Sequence, residues 1–182
     1  IYSVEIKSKA SGEILDLPAE VGDFVKKGTI LARIDQRTPK NVLDQAEADL
    51  RLAEVRLENA EAQLERGQAL HAEGSIADKN FEEIQEGYAS AKSQHVRSIV
   101  NVENAKIALD DTLVKSPLDG TIISRPVEVG QVISSPTSAV GGGTVLMRMA
   151  DLSKVRIRAF VDEIDIGKVS VGQEVSLSLI HI

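Results

Sequence analysis

Two stretches of heptad-spaced aliphatic and small residues constrain this chain more than any other feature. In the first stretch such residues recur in steps of three and four: Leu43, Ala46, Leu50, Ala53, Leu57, Ala60 and Leu64. The second stretch keeps the same stepping: Ile84, Tyr88, Ala91, His95, Ser98, Val102, Ala105 and Leu109. This spacing is typical of the a/d seam of a coiled coil. The sequence therefore predicts an antiparallel hairpin of two helices, whose alanines allow a close approach.

Capping residues predict where this hairpin begins and turns. Thr38-Pro39 combines an N-cap residue with proline at the first helical position, so we expect the hairpin to occupy residues 38–112. Gly74 suits the C′ position of the first helix, and Ser75-Ile76-Ala77-Asp78 is a capping-box variant that would start the second. The turn, near residues 71–77, would then lie at the end of a rod about 50 Å long.

Short glycine-punctuated runs flank the hairpin and form two related halves, residues 1–37 and 113–151. Each half contains a glycine before aliphatic residues and repeats that pattern ten residues later. The glycines concerned are Gly12, Gly22, Gly120 and Gly130. The repeat predicts a pseudo-symmetric sandwich of short strands. We interpret the glycines as turn residues with positive φ.

Composition limits the chemistry that the chain could perform. Aromatic residues make up 3% of it and cysteine is absent, which excludes disulfides and thiolate chemistry and disfavours a deep substrate pocket. The histidines, His71, His95 and His181, lack metal-binding spacing. We therefore expect a protein that is not an enzyme, with no catalytic residue, no metal and no cofactor.

The net charge of −7 lies entirely on the predicted hairpin, which holds fifteen acidic and eight basic side chains. No cluster of Lys and Arg is interleaved with aromatic residues, so nucleic acid is not an expected partner. No apolar run approaches the roughly 18 residues that cross a bilayer. Both ends, Ile1–Ile6 and Val175–Ile180, alternate like strands. We interpret them as cuts in a longer chain.

The length of the hairpin bears on function, since a compact loop would join the two halves at less entropic cost. A long rod indicates either binding to something remote or side-by-side packing with copies of itself. Two hypotheses follow. One is an adaptor that binds a distant partner through the hairpin tip, and the other is a self-associating coiled-coil scaffold. The first predicts sensitivity to changes at the tip, and the second to charges along the shaft.

The two β halves resemble the two halves of a biotinyl/lipoyl-type domain. The resemblance rests on Ser8–Ile14 and Val21–Asp35 in the first half, and on Val114–Ile122 and Gly130–Ile133 in the second. Carrier domains of this type bear a modified lysine on the hairpin between the halves. Here the helical insert takes that place, so the resemblance implies no attachment lysine and no biotin or lipoate.

A lipoyl-like domain split by a coiled-coil hairpin resembles the membrane fusion proteins of the HlyD/MacA-like family, the periplasmic adaptors of tripartite efflux and secretion systems. Residues Ala150–Asp165 and Val171–Val175 resemble the entry into that family's β-barrel, so we expect residues 152–182 to begin such a domain. The expected fold class is α+β multi-domain, with a split lipoyl-like β-sandwich, an inserted antiparallel hairpin and the start of a β-barrel.

The resemblance also implies a function. Such adaptors link an inner-membrane transporter to an outer-membrane TolC-like channel. They act in the periplasm, anchored to or associated with the inner membrane, as homo-oligomers that are commonly hexamers. The run Val161–Ile166 is closer to adaptors of ATP-driven (ABC) macrolide-type exporters than to those of proton-driven RND pumps. An RND partner remains the alternative.

The candidate site residues come from the same resemblance. Many family members that bind a TolC-type duct carry an Arg, a Leu four residues on and a Ser seven beyond that. Arg66 and Leu70 match the first two positions, and Ala77 stands in place of the Ser. In the lipoyl loop, macrolide-type adaptors place a Gln that rings the channel, whereas here Thr137 and Ser138 are the candidate channel-loop residues.

Overall fold

The computed structural model of the protein describes residues 3–136, 142–152, 160–174 and 176. Within these ranges four short strands, two long helices and four further strands follow one another. They are β1 (Ser3–Lys7), β2 (Gly12–Asp16), β3 (Phe24–Val25), β4 (Ile30–Ile34), α1 (Arg37–Ala72), α2 (Asp78–Asp110), β5 (Leu113–Lys115), β6 (Gly120–Ser124), β7 (Val132–Ile133) and β8 (Val145–Ala150). A short 3-10 helix, Ile166–Lys168, lies in the last described range.

The eight strands form two antiparallel sheets of four, with the orders β1-β8-β6-β3 and β5-β4-β2-β7. Each sheet takes two strands from each half of the sequence. If every strand is exchanged for its counterpart in the other half (β1 for β5, β2 for β6, β3 for β7, β4 for β8), one sheet order becomes the other. The halves are therefore interleaved as a duplicated pair, in keeping with the sequence repeat.

One hydrophobic core joins the two sheets. It contains side chains from both of them, and the largest are fully buried: Ile14, Leu31, Ile34, Ile122, Ile133, Leu146, Met147 and Met149. In β2 and β6 the central residues, Ile14 and Ile122, are buried in this core while the residues that follow them are exposed, as expected for strands with one buried face. Burial of aliphatic side chains is the main source of this domain's stability.

The glycines of the repeat do not all act alike. Gly22 and Gly130 have φ angles of +102° and +86°, which is the turn role predicted for them. Gly120 lies in β6 without a positive φ, and a Cβ there would stand 3.0 Å from the carbonyl oxygen of Ala150. The turn interpretation is therefore wrong for Gly120, because the close approach of the neighbouring strand is what excludes a side chain there.

The helices α1 and α2 pack along the predicted seam. Every predicted seam residue is at least partly shielded from solvent, and Ala53, Ser98, Val102 and Ala105 are buried. Small side chains occupy most of the buried positions, as close helix packing requires. The heptad prediction of two packed helices is confirmed.

The N-cap of α1 lies at Gln36, two residues before the predicted Thr38. The amide of Lys40 donates the first helical hydrogen bond to the carbonyl of Gln36, 2.9 Å away. Pro39 is thus the third helical residue. Proline has no N–H, and an N–H at this position would have no acceptor within the helix in any case. The cap prediction is wrong because contacts with the β-domain decide where the helix begins.

Those contacts join the two segments that connect the β-domain to the hairpin, one before α1 and one after α2. Gln36 Nε2 donates to Thr112 Oγ1 at 2.8 Å, and that hydroxyl donates to the carbonyl of Leu109 at 2.6 Å. Thr112 is fully buried. The amide of Ile34 donates to the carbonyl of Thr112 at 3.0 Å, so the last residue of β4 is joined directly to the segment after α2.

Asp35 and Arg37 form a compact ion pair beside this junction. The Arg37 guanidinium donates to both carboxylate oxygens of Asp35, and the Arg37 backbone amide donates to Oδ1 at 3.0 Å. The guanidinium hydrogen bonds, followed by the backbone one, lower the pKa of Asp35 from 3.8 to about 2. The carboxylate therefore stays charged at the start of α1, where the helix dipole also favours a negative charge.

Candidate partner-binding site at the hairpin tip

The turn between α1 and α2 is closed by backbone hydrogen bonds that follow from Gly74. After α1 ends at Ala72, Gly74 adopts a φ of +70°. Its amide donates to the carbonyl of His71 at 2.9 Å, and the amide of Ser75 donates to the carbonyl of Leu70 at 2.8 Å. This pair of bonds is a Schellman motif, and Gly74 occupies the predicted C′ position. The reversal at the tip thus has a defined geometry.

Ser75 does not cap α2. The N-cap of that helix is Ala77, which has no side-chain capping hydrogen bond, and the first helical residue is Asp78. The capping-box prediction is wrong: the Schellman motif uses the amide of Ser75, which an Asp78 side chain would have to accept from in a capping box, and the second helix begins at Asp78. Asp78 places a carboxylate in the first turn, where the helix dipole favours it.

Beneath the turn, three side chains and one glycine pack the last layer of the hairpin. His71 stacks on Phe81 with ring centroids 4.6 Å apart and an interplanar angle of 7°. Gly67 is buried, and a Cβ at that position would lie 2.9 Å from Cδ1 of Ile84. His71 Nδ1 lies 3.8 Å from Oδ1 of Asp78 and forms no hydrogen bond within the described ranges. The tip is held by packing more than by polar contacts.

The sequence prediction missed Gly67, His71 and Phe81 as members of the seam. The signal was present, since the steps of four and three continue from Leu64 through Gly67 to His71. On the second helix, Phe81 precedes Ile84 by one step of three. A glycine and a histidine are not apolar knobs, and for that reason the seam was ended too early at Leu64.

Arg66 and Leu70 lie one helical turn apart on α1, at positions outside the seam. Both are exposed, Leu70 by 43%, while their neighbours Gly67 and His71 point into the seam. In the part of the chain that the structure describes, Arg66 forms no salt bridge. The two residues therefore present a free guanidinium beside an exposed aliphatic side chain, a combination that suits protein binding.

Ala77 lies across the turn, at the N-cap of α2, and is exposed. Its methyl group offers no hydrogen bond, so this position supplies only surface shape where a serine would add a donor and an acceptor. The candidate channel-loop residues Thr137 and Ser138 lie outside the described residues.

The described residues contain no group of three or more His, Cys, Asp or Glu side chains placed to hold a metal ion. Within the same ranges, neither helix has the length of apolar sequence that a bilayer crossing requires. The described residues form a duplicated β-domain that carries a long hairpin with an exposed tip.

Comparison with known proteins gives the family. A family model described as "RND MFP, barrel-sandwich hybrid domain" matches residues 2–141, where MFP stands for membrane fusion protein. The chain belongs to this family of membrane fusion, or periplasmic adaptor, proteins, as the resemblance predicted.

Named relatives and a solved structure support the same family assignment. The pyoverdine export membrane fusion protein PvdR of Pseudomonas putida is 31% identical, over 93% of this chain and 46% of that protein. The macrolide export protein MacA of Yersinia pestis is 25% identical, over 99% of this chain and 51% of that protein. The crystal structure of MacA from Actinobacillus actinomycetemcomitans has a TM-score of 0.63 at 28% identity, covering 95% of this chain and 56% of that one. This chain spans about half the length of the curated relatives it matches.

Proposed function

We propose that this chain is the adaptor of a tripartite export system and links an inner-membrane transporter to an outer-membrane TolC-like channel. It would act in the periplasm, anchored to or associated with the inner membrane, as a ring of identical copies, with six as the expected number. It would perform no chemistry of its own. The residues expected to contact the channel are Arg66, Leu70 and Ala77, with Thr137 and Ser138 lining the passage.

The observation that carries this proposal is the position of Arg66 and Leu70. Both are exposed near the far end of a helix of 36 residues, which at 1.5 Å per residue is about 54 Å long. Leu70 keeps 43% of its surface exposed, and Arg66 forms no salt bridge with the described residues, so both have surface free for an outside contact. Such a pair at the end of a long reach is well placed to dock on a remote protein surface.

We infer an ABC transporter of the macrolide type as the inner-membrane partner. The Val161–Ile166 run and the similarity to two MacA proteins support this choice. A proton-driven RND pump is the second candidate, because the description of the matching family model names RND. Co-purification of the intact adaptor with each class of transporter separates the two.

The tip assignment is tested by Arg66→Glu and Leu70→Ala, each introduced into the intact protein. Both should weaken cross-linking to the outer-membrane channel by at least about tenfold, since a reversed charge or a lost anchor removes a docking contact. Export should fall toward the level of cells that lack the adaptor. Circular dichroism should show unchanged helix content, because both side chains are exposed.

Arg56→Glu is the matched control, since Arg56 is also exposed on α1 but lies on the shaft, ten residues from Arg66. It should leave channel cross-linking intact. If the tip variants export normally, the tip assignment is wrong. If Arg56→Glu is as damaging as Arg66→Glu, the coiled-coil scaffold hypothesis explains the hairpin better than docking through the tip does.

A further inference from the structure

Two very short connections join the hairpin to the β-domain. Only residues 35 and 36 separate the end of β4 from the start of α1, and only residues 111 and 112 separate the end of α2 from the start of β5. Each residue contributes two soft backbone dihedrals, so connections of two residues leave a helix few directions to take. The contacts of these four residues therefore decide the direction in which the rod leaves the β-domain.

Thr112 joins all the elements that meet at this point. Its hydroxyl accepts a hydrogen bond from Gln36 Nε2 at 2.8 Å and donates to the carbonyl of Leu109 at 2.6 Å. Its carbonyl accepts from the amide of Ile34 at 3.0 Å, and its amide donates to the carbonyl of Leu109 at 3.2 Å. One residue thus bonds to the end of β4, to the N-cap residue of α1 and to the last turn of α2.

Burial separates this bonding from the other polar contacts of the junction. Thr112 is fully buried, so its hydrogen bonds are shielded from water, and the loss of one partner leaves the other group unpaired. The same end of α2 also forms two ion pairs with exposed lysines, Lys115–Asp110 at 2.6 Å and Lys9–Asp111 at 3.5 Å. Water and salt screen exposed ion pairs, so they contribute little to the rigidity of the junction.

A hydrogen bond fixes an angle in a way that apolar packing does not. Apolar contacts tolerate sliding, whereas a hydrogen bond weakens steeply as its donor, hydrogen and acceptor depart from a line. The hydroxyl of Thr112 spans the starts and ends of the two helices, while the backbone of the same residue is bonded to β4. A tilt of the rod against β4 therefore strains at least one of these bonds.

We propose that Thr112 is a positioning residue for the hairpin tip, and that its hydroxyl, bonded to Gln36, fixes the angle between the rod and the β-domain. This rests on the proposed function, in which the tip docks on a channel, and it names the group that aims the tip. Because α1 has 36 residues, a tilt of about 5° at its base displaces the tip by about 5 Å. That displacement exceeds the roughly 3 Å reach of a hydrogen bond.

Distances between spin labels test the positioning role. Residues 1–182 contain no cysteine, so the labels go on pairs of cysteines introduced into the intact protein, with any cysteine outside these residues replaced by serine. One label replaces Glu58, which is exposed on α1. The other replaces Glu20 or Glu128, which are exposed and occupy equivalent places in the two β halves. The parent protein should give narrow distance distributions. Thr112→Val, which keeps the branched shape but removes the hydroxyl, should at least double their width.

Three further variants isolate the hydrogen bond. Thr112→Ser retains the hydroxyl and should restore the parent widths. Gln36→Leu removes the other partner, whose side chain makes no capping bond, and should broaden the distances as much as Thr112→Val does. The two changes combined should add nothing further, because each removes the same interaction. Lys115→Met is the matched control: it removes an exposed ion pair of the same junction and should leave the widths unchanged.

The proposal is overturned if Thr112→Val and Gln36→Leu both keep the parent widths at unchanged helix content by circular dichroism. Equal broadening in Thr112→Ser or in Lys115→Met would overturn it too, since the hydroxyl would then not be what fixes the angle. If Thr112→Val does not fold, Gln36→Leu decides the question alone, because Gln36 is only partly buried.

The same variants connect the direction of the rod to docking. Thr112→Val should reduce cross-linking to the channel by at least about fivefold although the tip is unaltered, and Thr112→Ser should restore it. Broad distances with undiminished cross-linking would refute that connection.

The outcomes separate this role from the proposed function. If Arg66→Glu and Leu70→Ala export normally while Thr112→Val broadens the distances, the channel-docking assignment fails and Thr112 still sets the angle of the rod. If the tip variants lose cross-linking while the distances of Thr112→Val and Gln36→Leu stay narrow, the adaptor function stands and the positioning role is wrong.

Discussion

The β-domain and the hairpin of this protein bury very different side chains. In the described chain, the large fully buried aliphatic residues all belong to the β-domain, whereas the buried residues of the helices are small or short: Ala53, Gly67, Ser98, Val102 and Ala105. Conversely, several of the helices' valines, leucines and isoleucines are exposed. The β-domain thus has a hydrophobic core of its own. The hairpin is held by a thin seam, and several of its larger apolar side chains lie outside that seam, exposed to solvent.

The largest effect that should separate the two regions comes from Ile14→Ala. Ile14 is fully buried between the sheets, so its truncation should lower the free energy of unfolding of the β-domain by about 2–5 kcal/mol. Val42→Ala, at a half-exposed position on α1, should change stability by no more than about 0.5 kcal/mol. Urea denaturation followed by circular dichroism measures the free energy of unfolding of both variants. Similar losses of stability in the two would contradict the difference described between the β-domain and the hairpin.

Gly67→Leu should open the tip without disturbing the β-domain. A Cβ at Gly67 already meets Ile84, and the rest of a leucine side chain has no space in the seam, so the local cost is about 1–3 kcal/mol. Hydrogen exchange should quicken in residues 64–88 and stay unchanged in β2 and β6. Faster exchange throughout the chain would show that the hairpin and the β-domain unfold as one unit.

Two glycines near the tip should respond in opposite directions to alanine. Gly74→Ala should destabilise the turn by about 1–2 kcal/mol, because alanine is strained at a φ of +70°. Gly87→Ala should stabilise α2 by about 1 kcal/mol, since Gly87 is exposed, helical and has open space around its Cβ position. Thermal unfolding of the two variants measures the difference, and changes of the same sign would refute the assignment of the turn.

The smallest expected effect concerns the junction of the two regions. NMR titration of the carboxyl groups should give Asp35 a pKa of about 2, and Arg37→Ala should raise that pKa toward 3.8. Because the folded pKa is lowered, this ion pair stabilises the fold above pH 3.8, and the contribution is lost as the pH falls through about 2. An unshifted Asp35 in the parent chain would contradict the geometry described for this pair.

Much of the fold was predictable because its signals are local. The heptad steps from Leu43 to Leu64 and from Ile84 to Leu109 require only that a helix repeats every 3.6 residues. Gly74 predicted the end of α1, because few other residues adopt a positive φ without strain. The candidate site was predictable in part, since Arg66 and Leu70 follow from a motif. That motif does not reveal the packing of Gly67, His71 and Phe81 beneath them.

By itself, then, the sequence determined that a hairpin interrupts a duplicated β-domain, because periodicity and repetition are properties of neighbouring residues. Only the tertiary structure decided that the halves interleave as β1-β8-β6-β3 and β5-β4-β2-β7. It alone placed the N-cap of α1 at Gln36 and used the amide of Ser75 in the turn. These features depend on hydrogen bonds between residues far apart in the chain, or on competition for one backbone group, and local patterns do not encode either.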